Sequence, residues 1–295
     1  MIDDATSLLD VCHFPEPGVA VDLAVSGGPD SLGLLLLARA VGLVVTVHHV
    51  DHHARESSGE DARAVAALCD ALEVPFVRHD ALVEPGANFE ARARAARRDA
   101  LPAGVLTGHT MDDLAETVLL NMVRGAGLDG LSPMVNDPTK PLRDVRRAAL
   151  HAYVSASGHV ARIDETNLSP DHTRNRIRGE LIPLLCDVAR RDVVPVLARQ
   201  AALIGEERRW LDALSLDDAP ALDDADCREL RAWPRARLRR WLRERLRGED
   251  LGDGAHPPSA DEVERAIAVV NGEVVATELA GGRRLARRAQ RLSLE

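Results

Sequence analysis

Short apolar runs alternate with longer stretches of helical spacing over residues 19–124. The runs 19–25 (VAVDLAV), 43–50 (LVVTVHHV), 74–79 (VPFVRH) and 103–109 (AGVLTGH) are rich in Val or Leu and bounded by Gly, Pro or Asp. They read as strands. The stretches between them, 30–42, 57–73 and 88–101, have helical length and spacing, with Ser57 and Asn88 as caps. Strand alternating with helix predicts an α/β fold with a parallel, Rossmann-like sheet covered on both faces. Ligands of such sheets sit beyond the carboxyl ends of the strands, where the strand order reverses. The most polar stretches, SGGPDS, HVDHHAR and GHTMDDLAET, fall at those ends and are expected to share one crevice.

Beyond residue 140 the pattern is mainly helical, over 144–157, 173–185 and 193–214. The acidic stretch 214–226 contains Pro220 and reads as a linker. The expected organisation is an α/β domain (1–140), a helical extension (141–213), the linker (214–226) and a small C-terminal α+β domain (227–295) with a hairpin near its end. In PRARLRRWLRERL, Leu238, Trp241, Leu242 and Leu246 form an apolar stripe that leaves Arg235, Arg239 and Arg243 outward.

Composition adds three constraints. Aromatics are 2% of the chain, so base stacking on aromatic platforms is a poor RNA-binding mode here. The net charge of −10 is uneven: residues 1–80 carry 4 arginines against 13 acids, while 228–295 carry 15 arginines against 11. An acidic chain is a poor general nucleic-acid binder, but its basic zones can meet a polyanion locally. The four cysteines, Cys12, Cys69, Cys186 and Cys227, form no CxxC pair and read as ordinary buried thiols. With no apolar run of membrane length and an acidic start, the expectation is a cytoplasmic protein without membrane contact.

SGGPDS follows the first strand and precedes a helix, as a phosphate-binding turn does, yet it has no lysine. The chain has a single lysine, Lys140. Gly27 and Gly28 let backbone N–H groups approach a phosphate, Ser26 and Ser31 add hydroxyls, and the helix start adds about half a positive charge. Asp30 repels phosphate unless a magnesium ion lies between them; otherwise it caps the helix. In GHTMDDLAET, His109 stands three and four residues before Asp112 and Asp113, with Glu116 beyond, so helical spacing places them on one face. Such a face suits a cation, either magnesium or a substrate amino group.

Ser-Gly-Gly-x-Asp-Ser resembles the PP-loop of the ATP pyrophosphatases, which split ATP between the α and β phosphates and transfer AMP to a substrate oxygen. Within that group the chain is similar to the tRNA(Ile)-lysidine synthases. VHHVDHHARESS resembles their His-Val-Asp-His-Gly-Leu-Arg element, with His53 and Ala54 replacing Gly and Leu. GHTMDDLAET, RGAGLDGL (124–131), NFEARARAARRDAL (88–101), KPLRDVRR (140–147) and DETNLSPDHTRNRIRGELIP (164–183) match further elements in order. Asp51-His52-His53 also spells the DHH triplet of metal phosphoesterases, but the His-x-x-Pro-Asp-x-Asp type element of that class is not matched.

The resemblance implies ligation of free L-lysine to carbon 2 of the wobble cytidine of tRNA(Ile) with a CAU anticodon, with ATP and Mg2+. It implies ATP contacts from Ser26, Gly27, Gly28, Pro29, Asp30, Ser31, His49, Asp51, His52, Gly108 and His109. Catalytic carboxylates would be Asp30, Asp112, Asp113 and Glu116, with Asp30 and Asp112 toward magnesium. Arg94 and Arg97, with Asp113 and Glu116, would hold lysine or the adenylate. Arg124, Arg174, Arg176, Arg178, Arg235, Arg239 and Arg243 would contact tRNA, and a homodimer is left open. The rival readings are a tRNA thiolase, a small-metabolite amide or amidine synthase, and a non-catalytic nucleotide-binding module.

Overall fold

The computed structural model describes residues 5–51, 58–81, 89–159, 173–247 and 258–295. The chain divides into two compact units, Met1–Glu206 and Glu207–Glu295. The expected features at Ser57, Asn88, His52, His53 and 164–172 lie outside the described residues.

In the first unit, α1 (Ala5–Leu9) leads to β1 (Ala20–Ala24), α2 (Pro29–Val41), β2 (Val44–Asp51), α3 (Ser58–Ala71), β3 (Phe76–Asp80) and α4 (Phe89–Ala100). The strands form a parallel sheet in the order β1-β2-β3, with Leu23 opposite Val47 and His48 opposite Val77. Leu23, Val47, Leu34, Leu35 and Leu37 are fully buried in the core between this sheet and the helices.

The fourth expected strand, 103–109, is reduced to one parallel bridge between Leu106 and Leu23. Ala24 donates to Leu106 O at 2.9 Å and Leu106 donates to Asp22 O at 2.8 Å. Pro102 and a left-handed Gly104 (φ +79°) precede the bridge. After it, the Thr107 amide turns away to Thr139 O at 3.0 Å. The pairing is therefore too short for a full strand, but it sets the chain on the side of β1 opposite β2. The strand order thus reverses at β1, which opens a crevice at the carboxyl ends of β1 and the Leu106 segment.

Beyond the sheet lie α5 (Met111–Val123), α6 (Leu128–Leu131), α7 (Arg147–Ala156), α8 (Thr173–Arg176), a π-helical turn (Ile177–Leu181), α9 (Ile182–Ala189) and α10 (Val194–Leu216). A second core joins Leu114, Val118 and Leu119 of α5 to Ile177 and to Leu197 and Ala201 of α10.

The second unit contains α11 (Cys227–Leu230), α12 (Arg235–Arg245), α13 (Ala260–Asn271) and an antiparallel sheet of β4 (Ala276–Glu278), β5 (Arg284–Arg288) and β6 (Arg291–Leu294). The apolar stripe on α12 is buried as its spacing requires: Leu238, Trp241, Leu242 and Leu246 pack with Val263, Ile267 and Leu285. Ser259 and Glu262 form a reciprocal cap that starts α13. The hairpin between β5 and β6 turns at Ala289 and Gln290, both with positive φ.

Candidate active site

The loop after β1 is held by its own hydroxyls. Ser31 Oγ accepts from the Ser26 amide at 3.2 Å and donates to Gly28 O at 2.9 Å. Gly27 sits at φ +91°, a conformation that a side chain resists, and a Cβ there would meet Val65 at 3.2 Å. Gly28 is the N-cap of α2 and contributes no side-chain cap. The Asp30 and Ser31 amides of the first turn therefore have no side-chain acceptor from the cap residue. Pro29 at the first helical position has no N–H to leave unsatisfied.

Two glycines set what approaches this loop. A Cβ on Gly108 would stand 2.6 Å from Asp30 O and 3.0 Å from the Ser31 amide nitrogen, so only glycine lets the chain after Leu106 lie against the start of α2. A Cβ on Gly33 would stand 2.5 Å from Leu150, so glycine also lets α7 pack closely on α2. That packing brings two side chains of α7 to Asp30. His151 Nε2 lies 2.8 Å from Asp30 Oδ1, and Arg147 Nε lies 3.6 Å from Oδ2. Burial raises the Asp30 pKa, against the opposing pull of Arg147 and His151.

The acids of α5 are held by arginines from later in the chain. Thr110 caps α5, and Asp113 Oδ2 accepts from the Thr110 amide at 2.9 Å and from its hydroxyl at 2.8 Å. Asp113 Oδ1 accepts from Arg147 at 2.8 Å and Arg174 at 3.0 Å. Glu116, 1% exposed, accepts from Arg147 at 2.9 Å, Arg174 at 2.8 Å and Arg178 at 2.6 Å. Burial pushes the Glu116 carboxyl up, but Arg178, Arg147 and Arg174 together outweigh it and bring its pKa to about 2. Asp112 points elsewhere: it accepts from the guanidinium of Arg146 and, at 2.8 Å, from the Arg147 amide at the start of α7. Its pKa falls, because those hydrogen bonds outweigh its burial. Arg146 also pairs with Asp192.

A cavity of about 920 Å³ opens at the carboxyl ends of the strands. Ser26, Asp30, Ser31, His49, Asp51, Gly108, His109 and Asp113 line it, so the three polar stretches do share one crevice. Asp112 and Glu116 are not among its lining residues. His49 Nδ1 lies 2.8 Å from Val25 O, and Asp51 is paired with Arg78 at 3.1 Å. His109 precedes the cap of α5, so helical spacing does not align it with the acids; its Nδ1 lies 2.7 Å from Thr107 Oγ1.

The expected RNA-facing arginines divide. Arg174 and Arg178, four residues apart, both donate to Glu116. Arg176, on the other side of that turn, is exposed and pairs with Glu180 at 3.0 Å. Arg124 is exposed at the far end of α5. In the second unit, exposed Arg235 and Arg239 both pair with Glu264, and Arg243 lies on the same helix. Arg94 and Arg97 belong to α4, with side chains outside the described residues.

Residues 5–185 match the family model of the PP-loop domain. Over 276 residues the chain is 37% identical to the tRNA(Ile)-lysidine synthase of Nocardia farcinica, covering 88% of this chain and 84% of that protein. The chain belongs to the tRNA(Ile)-lysidine synthase family. The member from Rhodococcus opacus is 40% identical over 218 residues, 70% of this chain, and the match spans 65% of that protein's length. A U34-tRNA thiolase from Methanococcus maripaludis shares the fold, with a TM-score of 0.51 at 14% identity over 68% of this chain and 78% of that one.

Arg146, Arg147 and His151 were not singled out from the sequence, although the doubled arginine of DVRR opening a helix was a visible signal. Thr107, Thr139 and Lys140 also line the cavity. None of the four cysteines does. Burial pushes the Cys12 thiol up to about 12 and Cys69 to about 11, which leaves little thiolate for a thiolase-like reaction.

Proposed function

We infer that this chain attaches free L-lysine, through its ε-amino group, to carbon 2 of the wobble cytidine of tRNA(Ile) with a CAU anticodon. ATP is consumed, and AMP and pyrophosphate are released. In a chain of this family, the observation that carries the reading is one cavity lined by both the lysine-free loop and the Asp113 carboxylate.

The chemistry asks for two steps. Oxygen on carbon 2 of cytosine is a poor leaving group. Its attack on the α phosphorus of ATP forms an O–P bond and expels pyrophosphate. The neutral ε-amine then attacks carbon 2, the carbon–oxygen bond breaks, AMP leaves, and the amine proton passes to a base. In the first step the loop of Ser26, Gly27, Gly28 and Ser31 receives the departing charge with amides, hydroxyls and the positive end of α2.

Lysine arrives with an ammonium of pKa ~10.4 and must lose a proton. Asp113 is the α5 carboxylate on the cavity wall, so it is assigned to the ammonium and its proton. Glu116, with its pKa lowered to about 2, is a weak base away from the cavity wall and instead holds Arg147, Arg174 and Arg178 in place. Arg94 and Arg97 are assigned to the lysine carboxylate or the adenylate, for which planar guanidinium forks are suited.

Asp30 fits a magnesium ion shared with the phosphates, because it is a partly exposed carboxylate beside the loop. Such an ion would neutralise phosphate charge. Asp112 does not fit: both its oxygens accept from Arg146 or Arg147, and it does not line the cavity. Arg124, Arg176 and α12 of the second unit are assigned to tRNA. The test is AMP release from ATP with lysine, tRNA(Ile) or both. Release only with both, and lysine recovered in the tRNA, is expected; release with lysine alone would point to a metabolite enzyme.

A further inference from the structure

The loop poses a charge problem that its own residues do not solve. Its donors are amides and hydroxyls, and the helix end adds only about half a charge. The cavity is lined by Asp30, Asp51, Asp61 and Asp113, while its described fixed cations are Arg98 and Lys140. Beyond the ion assigned to Asp30, the phosphates of an entering nucleoside triphosphate meet fixed positive charge among the described lining residues from these two side chains.

Lys140 is the chain's one lysine, and its side chain is 17% exposed. Lysine heads normally reach for water, yet this side chain is largely buried in a residue that lines the cavity. The turn that carries it is well braced. Asp137 Oδ1 accepts from the Thr139 amide at 2.9 Å and the Thr139 hydroxyl at 2.6 Å. Lys140 Nζ donates to Thr139 Oγ1 at 2.9 Å, with Asp137 Oδ2 at 4.0 Å.

The turn is also tied to the loop. Thr139 O accepts from the Thr107 amide at 3.0 Å, and the next residue, Gly108, lies against the backbone of Asp30 and Ser31. Lys140 is thus two links from the first turn of α2. Arg98 lies on α4 and is exposed.

We propose that Lys140 holds the pyrophosphate half of ATP, supplying from a distant turn the cation that the loop lacks. This rests on the reading that the loop binds ATP for cleavage between the α and β phosphates. Charge gathers on that half as the bond breaks, so the contact strengthens toward the transition state.

The single lysine makes the test direct, because Lys140 and the N-terminal amine are the chain's primary amines. The intact protein is acylated with acetic anhydride, and the Lys140 peptide is quantified by mass spectrometry against the N-terminal amine. Pyrophosphate or ATP, each with Mg2+, is expected to slow Lys140 acylation by about tenfold or more, the scale of one charge-assisted hydrogen bond, while AMP gives no protection. In a second measurement, Lys140→Met is expected to weaken pyrophosphate binding by about tenfold, with Lys140→Arg restoring most of it and KM for lysine unchanged.

Equal labelling while calorimetry shows pyrophosphate bound, protection by AMP alone, or no pyrophosphate binding by the wild type would overturn the proposal. If pyrophosphate protects Lys140 but AMP release needs neither lysine nor tRNA, the functional reading fails and this contact stands. If AMP release needs both and Lys140 stays unprotected, this contact alone fails.

Discussion

Arg147 Nη1 donates to Glu116 Oε1 at 2.9 Å, and this pair ties α7 to α5. The same guanidinium reaches Asp113 at 2.8 Å and stands 3.6 Å from Asp30. One side chain thus links the phosphate loop to the acids of α5. Removing one partner of a buried pair leaves the other charge unpaired, which costs about 3–5 kcal/mol. Arg147→Met and Glu116→Gln should each lose stability on that scale in urea unfolding. The double mutant should lose less than the sum, with a coupling of about 1–3 kcal/mol. Simple additivity would show that the pair is not a unit.

The pH dependence of stability follows from the depressed Glu116 pKa of about 2. A folded-state value below the ordinary ~4.3 means that the stabilisation is fully present above the unfolded value and is lost as pH falls through about 2. At neutral pH it amounts to about 3 kcal/mol. The stability gap between wild type and Glu116→Gln should therefore narrow as pH drops from 5 toward the onset of acid unfolding, at about 1.4 kcal/mol per pH unit at most. A gap independent of pH would contradict the arginine-held carboxylate.

Gly108→Ala tests the close approach at the loop. The added Cβ would meet backbone atoms of Asp30 and Ser31 at 2.6–3.0 Å, and backbone gives way less readily than a side-chain tip. Overpacking of this kind costs about 1–3 kcal/mol. The larger effect is expected on ATP, with KM raised and AMP release reduced in steady-state assays. Gly125→Ala is a control: it leaves a left-handed residue in open space, so strain without a clash should spare the nucleotide site.

Arg176 is exposed and pairs with an equally exposed acid, Glu180, whereas Arg174 and Arg178 hold the buried Glu116. Arg176→Ala should weaken tRNA binding at low salt and make the slope of log K against log salt shallower by about 0.7–0.9, one phosphate contact. KM for lysine should not move. Arg178→Ala should behave in the opposite way, damaging stability and lysine use more than tRNA affinity. Filter binding at several salt concentrations separates the two.

The alternation of apolar runs revealed the parallel sheet because buried parallel strands leave a continuous apolar trace. The loop and the acids were legible as well, since phosphate and cation sites reuse short motifs. The fourth strand was overread: residues 103–109 carry the composition of a strand, but Pro102 and Gly104 delay the pairing and Thr107 leaves it for Thr139. The arginine shell was hidden for a different reason. Arg147 and Arg178 meet Glu116 from 31 and 62 residues away, and no local pattern records such a meeting. The tight packing of Gly33 on Leu150 is equally non-local, and a lone glycine inside a leucine run reads only as a weakness.

The proposed reaction requires the carbonyl oxygen of the wobble cytidine to become bonded to the α phosphorus of ATP. The direct measurement uses tRNA(Ile) carrying oxygen-18 at carbon 2 of that cytidine, turned over with lysine and unlabelled ATP. Mass spectrometry of the products should find the label in AMP, one atom per lysine ligated, with pyrophosphate as the other product. Label retained in the tRNA, or ADP and orthophosphate formed in step with ligation, would contradict the account.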